Sequence, residues 1–245
     1  MKVETTHHDG GVFEIKLNRP DKINAIDTEM AEDLHNAWVE YEASDARCAL
    51  LTASGNKAFS VGADLNDEPV ELWRAVPGLG VTVTKPYVVA TFGYVVGGAY
   101  VLTVYADMVV GAESTTFYYP EAQVGFTGGL VAGTAVRVPQ KIASEFMLMC
   151  EPFPADRALQ YGMMNRITES DDPRDEAMQV ALKIASNAPK VNVAIKSFVD
   201  QIVPSSPSHD YALTRKILWD IQNSADKAEG IQAFKEKRTP KFTGE

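Results

Sequence analysis

The sequence predicts an α/β protein in which strands and helices alternate along the first part of the chain. The segment VFEIKLN places apolar Phe13, Ile15 and Leu17 at every second position, which is typical of a half-buried strand. A helical apolar pattern follows Asp27, and further strand-like segments recur on either side of a glycine-rich helix start at Gly98. Such alternation is typical of folds whose strands are joined by crossover connections.

The first helix is predicted to begin after Asp27, whose carboxylate suits the N-cap position. Glu29 lies in the first turn. Apolar side chains then recur at helical spacing, at Met30, Leu34, Ala37, Trp38 and Tyr41. Further strands are predicted for RCALLT, VVATF and MVVGA, and a second helix for residues 98–106.

After Pro139 the chain is predicted to be mostly helical. Helical patterns occupy the segments QKIASEFMLMC, ADRALQYG, DEAMQVALKIASNA, VNVAIKSFVDQIV, YALTRKILWDIQN and AEGIQAFKEKR. One short strand is expected near residues 163–167. The sequence therefore divides into a core of β and α layers, residues 1–190, and a helical C-terminal region, residues 191–245.

Composition narrows the class of protein. The chain of 245 residues is 45% hydrophobic and carries a net charge of −10. This length can bury one large core, and the acidity argues against nucleic acid or an anionic membrane surface as the general partner. No apolar run reaches the roughly 18 residues of a membrane span. The sparse cysteines, Cys48 and Cys150, and the absence of an apolar leader favour a cytoplasmic location.

The charge is unevenly distributed, because the C-terminal end is basic. Between Lys227 and Lys241 there are five basic and two acidic residues, so this stretch carries +3 and the remainder −13. Such a stretch is either the solvated face of a helix or a patch that holds an anionic ligand such as a phosphate.

Candidate chemistry is concentrated in three glycine-containing loops with neighbouring carboxylates. They are AFSVGADLND (58–67), YVVGGAY (94–100) and YYPEAQVGFTGG (118–129). The four histidines have neither metal-ligand nor nucleophile–histidine spacing, so no metal site is predicted. Together the loops indicate one site built from backbone donors and carboxylates.

Two features of these loops have alternative interpretations. The pair Gly97 and Gly98 either lets a buried strand turn tightly into a buried helix, or leaves amide donors at the helix start for an oxyanion. Glu121, which follows Pro120, either caps the next turn or acts as an acid–base group. The residues alone leave both alternatives open.

Five motifs extend across nearly the whole chain. They are NRPDKINAI (18–26), AFSVGADL (58–65), KPYVVATFGYVVGGA (85–99), YPEAQVGF (119–126) and EGIQAFKEKRTPKF (229–242). In this order and spacing, they resemble the crotonase (enoyl-CoA hydratase/isomerase) superfamily. The resemblance implies a ClpP/crotonase-like spiral of ββα units over residues 1–190. It also implies that residues 191–245 help form trimers, often paired into hexamers, and contact coenzyme A, which is part of the acyl-CoA substrate and not a separate cofactor.

The resemblance also assigns roles to individual residues. By position, the amides of Ala63 and Gly98 become the oxyanion-hole donors to the thioester oxygen, and Glu121 becomes the general acid–base. Val101 stands where the typical hydratase has a second glutamate, and the segment 64–86 that helps wall the acyl pocket is shorter than usual. Substrate contacts are implied for Lys22, Ile23, Asp64, Leu65, Val101, Gly129, Phe234, Lys237 and Lys241.

The single carboxylate favours one reaction type over others. A double-bond shift needs one base that moves a proton between two carbons, whereas hydration is naturally shared by two carboxylates. We therefore expect an enoyl-CoA isomerase. The alternatives are a hydratase or hydratase-lyase acting on an aromatic or branched acyl-CoA, and an acyl-CoA binder that has lost its chemistry.

Overall fold

The computed structural model describes residues 1–69, 71–125, 127–204 and 206–245, without the side chains of residues 218, 222 and 234. The strands are β1 (Val3–His8), β2 (Val12–Leu17), β3 (Cys48–Ala53), β4 (Ala58–Ser60), β5 (Tyr87–Thr91), β6 (Tyr94–Val96), β7 (Met108–Ala112), β8 (Thr116–Tyr118), β9 (Phe153–Pro154) and β10 (Arg166–Thr168). The helices are α1 (Thr28–Ala43), α2 (Gly98–Val104), α3 (Glu121–Val124), α4 (Gln140–Met149), α5 (Ala155–Gln160), α6 (Arg174–Ala185), α7 (Pro189–Ile202), α8 (Pro207–Gln222) and α9 (Ala225–Glu236). Short 3-10 helices span Pro20–Lys22, Leu72–Ala75 and Leu130–Val136.

The strands form two sheets. The larger sheet has the order β1-β2-β3-β5-β7-β10, and the smaller one the order β4-β6-β8-β9. Pairing is parallel except between β1 and β2 and between β8 and β9. Each of the pairs β3–β4, β5–β6 and β7–β8 contributes one strand to each sheet before a helical segment follows. This repetition confirms the predicted ββα units.

The predicted α1 is confirmed in detail. The Asp27 carboxylate accepts a hydrogen bond from Met30 N at 2.9 Å, as an N-cap should. The apolar residues at helical spacing are buried, as are those of β2. Trp38, Tyr41 and Phe13 are among the largest fully buried side chains, so this helix forms much of the core against β2.

The C-terminal helices attach to the core unequally. α6 packs on β2, β3 and β5 and buries Ala177 and Val180 there. α8 reaches the main core through buried Ala212. α7 buries none of its residues fully and leaves Phe198 63% and Ile202 81% exposed. The proposed boundary at residue 190 falls at the start of α7 and stays a prediction.

Two further features of the sequence can be located. Cys48 and Cys150 are buried free thiols, and burial raises the pKa of Cys48 to about 12. Within the described ranges, no helix is both long and apolar enough to cross a bilayer. Nor do the described residues contain a group of three or more His, Cys, Asp or Glu side chains that could hold a metal ion.

Candidate active site

Several separate segments of the chain line one cavity of about 360 Å³. They are the loop after β4 with the Leu72–Ala75 helix, the start of α2, the start of α3 with the loop after it, and α8. The lining includes Ala63, Gly98, Val101 and Glu121. The fold therefore brings the three expected catalytic positions and the expected gap at Val101 to the same space.

The Gly97–Gly98 turn connects β6 to α2 through two glycines that have different roles. Gly97 has φ 52° and ψ −117°, a conformation that side chains with a Cβ rarely adopt. Gly98 faces a different constraint, because a Cβ there would lie 2.5 Å from Leu72 Cδ2. The first glycine permits the turn, and the second leaves room for a side chain of the cavity wall.

The loop after β4 is positioned by pairing with the segment before α1. Ile26 N donates to Gly62 O, and Asp64 N donates to Ile26 O, both at 2.8 Å. This pairing leaves the amide of Ala63 directed away from Ile26. The loop also packs closely on the glycine turn, since a Cβ on Gly62 would lie 2.6 Å from Val96 O.

The two expected oxyanion donors are therefore on adjacent turns. The same added Cβ on Gly62 would lie 3.5 Å from Gly98 N. Over the part of the chain that the structure describes, neither the Ala63 amide nor the Gly98 amide donates to a protein acceptor. Gly98 is the first residue of α2, where helix amides lack an intrahelical partner. The turn is thus structural and also leaves two amides without a protein acceptor, and their role as donors to an oxyanion stays a prediction.

Glu121 is the first residue of α3 and is half-buried. Its Oε2 accepts a hydrogen bond from Gly128 N at 3.2 Å, so the carboxylate closes the loop after α3 as well as lining the cavity. Burial raises the pKa of neighbouring Tyr119, and the Glu121 carboxylate raises it further. A protonated Tyr119 hydroxyl is therefore kept beside this carboxylate.

Val101 is 2% exposed and lines the cavity one turn into α2. It contributes only apolar surface there. Across the described lining residues, the ionisable side chains are Glu68, Glu121, Tyr211 and Arg215. The cavity thus combines an apolar wall with very few groups able to move a proton.

Several residues expected to contact substrate lie near the cavity without lining it. Asp64 pairs with Arg19 at 2.7 Å, and the pKa of Asp64 is lowered by that hydrogen bond. Leu65 is 82% exposed. Lys22 and Ile23 are exposed, and Val61 N donates to Ile23 O, which places this segment beside the loop after β4.

The remaining expected contacts are further along the chain. Gly129 is the N-cap residue of the Leu130–Val136 helix and has φ 73°. Ser208 Oγ donates to the Gly129 carbonyl at 2.7 Å. Lys237 and Lys241 are exposed and make no ion pair with any described residue. The side chain of Phe234 lies outside the described part of the structure. Of the described residues Gly129, Lys237 and Lys241, none lines the cavity of its own chain.

Several lining residues were not singled out from the sequence, and four of them contribute large side chains. Leu72 and Trp73 belong to the segment 64–86 that was expected to wall the acyl pocket, although neither was singled out. Tyr211 and Arg215 come from α8, far along the chain. Only the fold reveals them, because a helix pattern does not indicate which loop the helix will face.

Comparisons with known proteins identify the family of this chain. A family model described as Enoyl-CoA hydratase/isomerase matches residues 7–245. A carnitinyl-CoA dehydratase of Proteus mirabilis is 31% identical over 96% of this chain and 96% of that protein. An (E)-benzylidenesuccinyl-CoA hydratase of Thauera aromatica is 31% identical over 100% of this chain and 99% of that protein. The crystal structure of a Bacillus anthracis enoyl-CoA hydratase has a TM-score of 0.78 at 25% identity, over 100% of both chains.

Fold and site together define a crotonase-fold protein with a helical C-terminal region, as the resemblance implied. The chain belongs to the enoyl-CoA hydratase/isomerase family. Members of this family are enzymes that act on acyl-CoA thioesters, so the class of chemistry follows from membership. The particular reaction does not follow, because one scaffold hosts several chemistries.

Proposed function

We infer that the chain isomerises the double bond of an enoyl-CoA thioester, with Glu121 as the one acid–base group. The observation that carries this proposal is the cavity in which Glu121 lies with the Ala63 and Gly98 amides, while Val101 presents only an apolar side chain. Proton transfer between two carbons needs one carboxylate. The activation of water together with protonation of carbon is more naturally shared by two.

In this mechanism the thioester oxygen accepts hydrogen bonds from the Ala63 and Gly98 amides. Glu121 removes a proton from the α carbon of a 3-enoyl thioester, and the electron pair moves into a dienolate whose oxygen carries the negative charge. The protonated Glu121 then returns the proton to the γ carbon, which leaves a 2-enoyl thioester. Two fixed amides suit the dienolate because such donors cost little reorganisation when charge develops.

Hydration or dehydration is the second candidate reaction. Two similar proteins carry the names carnitinyl-CoA dehydratase and (E)-benzylidenesuccinyl-CoA hydratase. In that case Glu121 would exchange a proton with water as well as with carbon. The 31% sequence identity to each of these proteins supports this alternative, and the apolar side chain of Val101 argues against it.

Coenzyme A binding and assembly are part of the same proposal. Exposed Lys237 and Lys241 are suited to the phosphates of coenzyme A, with Phe234 near the adenine, from a neighbouring subunit of a homotrimer or hexamer. Lys22 and Ile23 lie beside the loop after β4 and are suited to the pantetheine path. We propose a cytoplasmic enzyme whose partners are its acyl-CoA substrate and copies of itself, without nucleic acid or membrane.

Liquid chromatography followed by mass spectrometry distinguishes these reactions, because chromatography separates the two enoyl isomers, which have equal mass, and the mass reveals addition of water. 3-Hexenoyl-CoA and 2-hexenoyl-CoA are each incubated with the protein in ¹⁸O-labelled water. We expect 3-hexenoyl-CoA to become 2-hexenoyl-CoA without gain of mass. A product heavier by one labelled water would favour the hydratase, and no conversion of either thioester despite binding would leave an acyl-CoA binder.

A further inference from the structure

Arg215 is the one cationic side chain on the described lining of the active-site cavity. It projects from α8, lies 33% exposed, and has no part in the proton transfer proposed above. An arginine in a wall that also contains Leu72, Trp73 and Leu130 needs a physical reason, since burial of a charge beside apolar groups is unfavourable unless it is paired.

Protein contacts hold this guanidinium in place. Its Nη2 donates to Glu71 Oε1, and its Nη1 donates to the Tyr211 hydroxyl at 3.1 Å. Glu71 is itself fixed, because its other oxygen accepts from Trp73 Nε1. The arginine is therefore oriented from two sides before any ligand arrives.

These contacts use only part of the hydrogen-bonding capacity of Arg215. A guanidinium has five N–H donors in a planar fork, and two of them are assigned to Glu71 and Tyr211. No acceptor among the described residues takes the others. Glu71 accepts one hydrogen bond from Arg215 and one from Trp73, so its pair with the arginine is not bidentate. The remaining donors are available to a group in the cavity.

The surroundings of Arg215 determine the charge of that group. The guanidinium carbon lies 6.0 Å from the Trp73 ring centroid and 5.6 Å from that of Tyr211, so the protein's own cation occupies the aromatic faces. A cationic acyl group would have to compete with the guanidinium for those faces. Glu68 also lines the cavity, but it is exposed, so its repulsion of an anion is screened by solvent.

We propose that Arg215 recognises a free carboxylate on the acyl group. The substrates are then CoA thioesters of unsaturated dicarboxylic acids, in which one carboxyl group forms the thioester and the other binds Arg215. A carboxylate matches the planar fork of an arginine better than any neutral group does, because it can accept two parallel charged hydrogen bonds. This inference rests on the proposed function, since it requires the thioester to be gripped by Ala63 and Gly98. Arg215 acts as a specificity-determining residue and takes no proton.

The test compares pairs of 3-enoyl-CoA thioesters that are identical except for a terminal carboxylate or carboxamide, over a series of increasing chain lengths. For wild type we expect kcat/KM to favour the carboxylate by roughly ten- to a hundredfold at the best-fitting length. Arg215→Gln should abolish that preference, because it should slow turnover of the carboxylate thioester far more than turnover of the carboxamide thioester. Arg215→Lys should keep only part of it, because a lysine is a point charge without the fork.

The matched control is Lys216→Gln, which removes the neighbouring cation of α8 from an exposed pair with Asp220. Its preference should equal that of wild type. Equal rates of wild type with both thioesters at every length would overturn the inference, and this result does not depend on whether Arg215→Gln folds. A preference that survives in Arg215→Gln would overturn it as well. Binding of butyryl-CoA distinguishes failure of this inference from failure of the proposed function. If wild type binds butyryl-CoA and lacks the preference, only the inference about Arg215 fails. If wild type binds no thioester, the proposed function fails too.

Discussion

Val101 is the residue at which we expect this chain to depart from a two-carboxylate site. It is buried, apolar and on the same cavity as Glu121. If a missing carboxylate at this position determines the reaction, Val101→Glu should add hydration of a short 2-enoyl-CoA that wild type does not perform. The new carboxylate should also lower the free energy of unfolding, because it replaces a packed side chain with a charge.

The measurement is formation of 3-hydroxybutyryl-CoA from crotonyl-CoA, alongside a urea denaturation curve. Val101→Gln is the matched control, since it has similar size and polarity without a titrating group, and it should hydrate nothing. A folded Val101→Glu variant that binds butyryl-CoA and remains inactive would contradict the prediction. The shape of the segment 64–86 would then determine the reaction type instead.

At the scale of elements, the turn from β6 into α2 combines stability and function. Gly97→Ala should lower the free energy of unfolding by about 1–3 kcal/mol, because alanine is strained at φ 52°. Gly98→Ala should cost less stability but weaken acyl-CoA binding, because the added methyl group displaces Leu72 from its place in the cavity wall.

Urea denaturation and calorimetry with butyryl-CoA measure the two effects separately. The contrast between neighbouring glycines is the informative result, since each variant serves as the control for the other. Equal loss of stability in both variants, with binding unchanged in Gly98→Ala, would mean that the turn is structural only.

Element lengths also explain which parts of the fold the sequence could predict. β2, β3, β5 and β7 have five or six residues each, and their apolar patterns were sufficient to identify them. β4, β6 and β8 have three residues each, too few for a periodic pattern to be recognised. The smaller sheet, which carries the two turns of the active site, was therefore implied only by the family resemblance.

The site shows the same division between local and distant signals. Ala63, Gly98 and Glu121 lie within quoted motifs and Val101 lies just after one, and the fold brings all four to one cavity. Arg215 is 144 positions from its partner Glu71, and nothing local marks it. Contacts of such separation arise from how α8 packs, so sequence reasoning on one chain could not predict them.

For the whole molecule, the exposed apolar face of α7 supports the proposed oligomer. Its exposed apolar residues are Val191, Ile195, Phe198, Val199 and Ile202. Contiguous exposed apolar surface of this kind marks an interaction site. We expect light scattering after size-exclusion chromatography to give the mass of a trimer or hexamer, and Phe198→Asp to shift it towards the monomer. Gln201→Asp, on the same helix, is the charge-matched control and should keep the wild-type mass. A wild-type protein that is monomeric would contradict the prediction.

The central claim is that Glu121 moves a proton at the carbon next to the thioester. The most direct measurement is exchange of the α protons of butyryl-CoA in D₂O, followed by NMR for wild type, Glu121→Gln and Glu68→Gln. We predict exchange by wild type, a loss of roughly 10²- to 10⁴-fold in Glu121→Gln with butyryl-CoA still bound, and retention of exchange in Glu68→Gln. Exchange that survives in Glu121→Gln, or is lost in Glu68→Gln alone, would contradict the account.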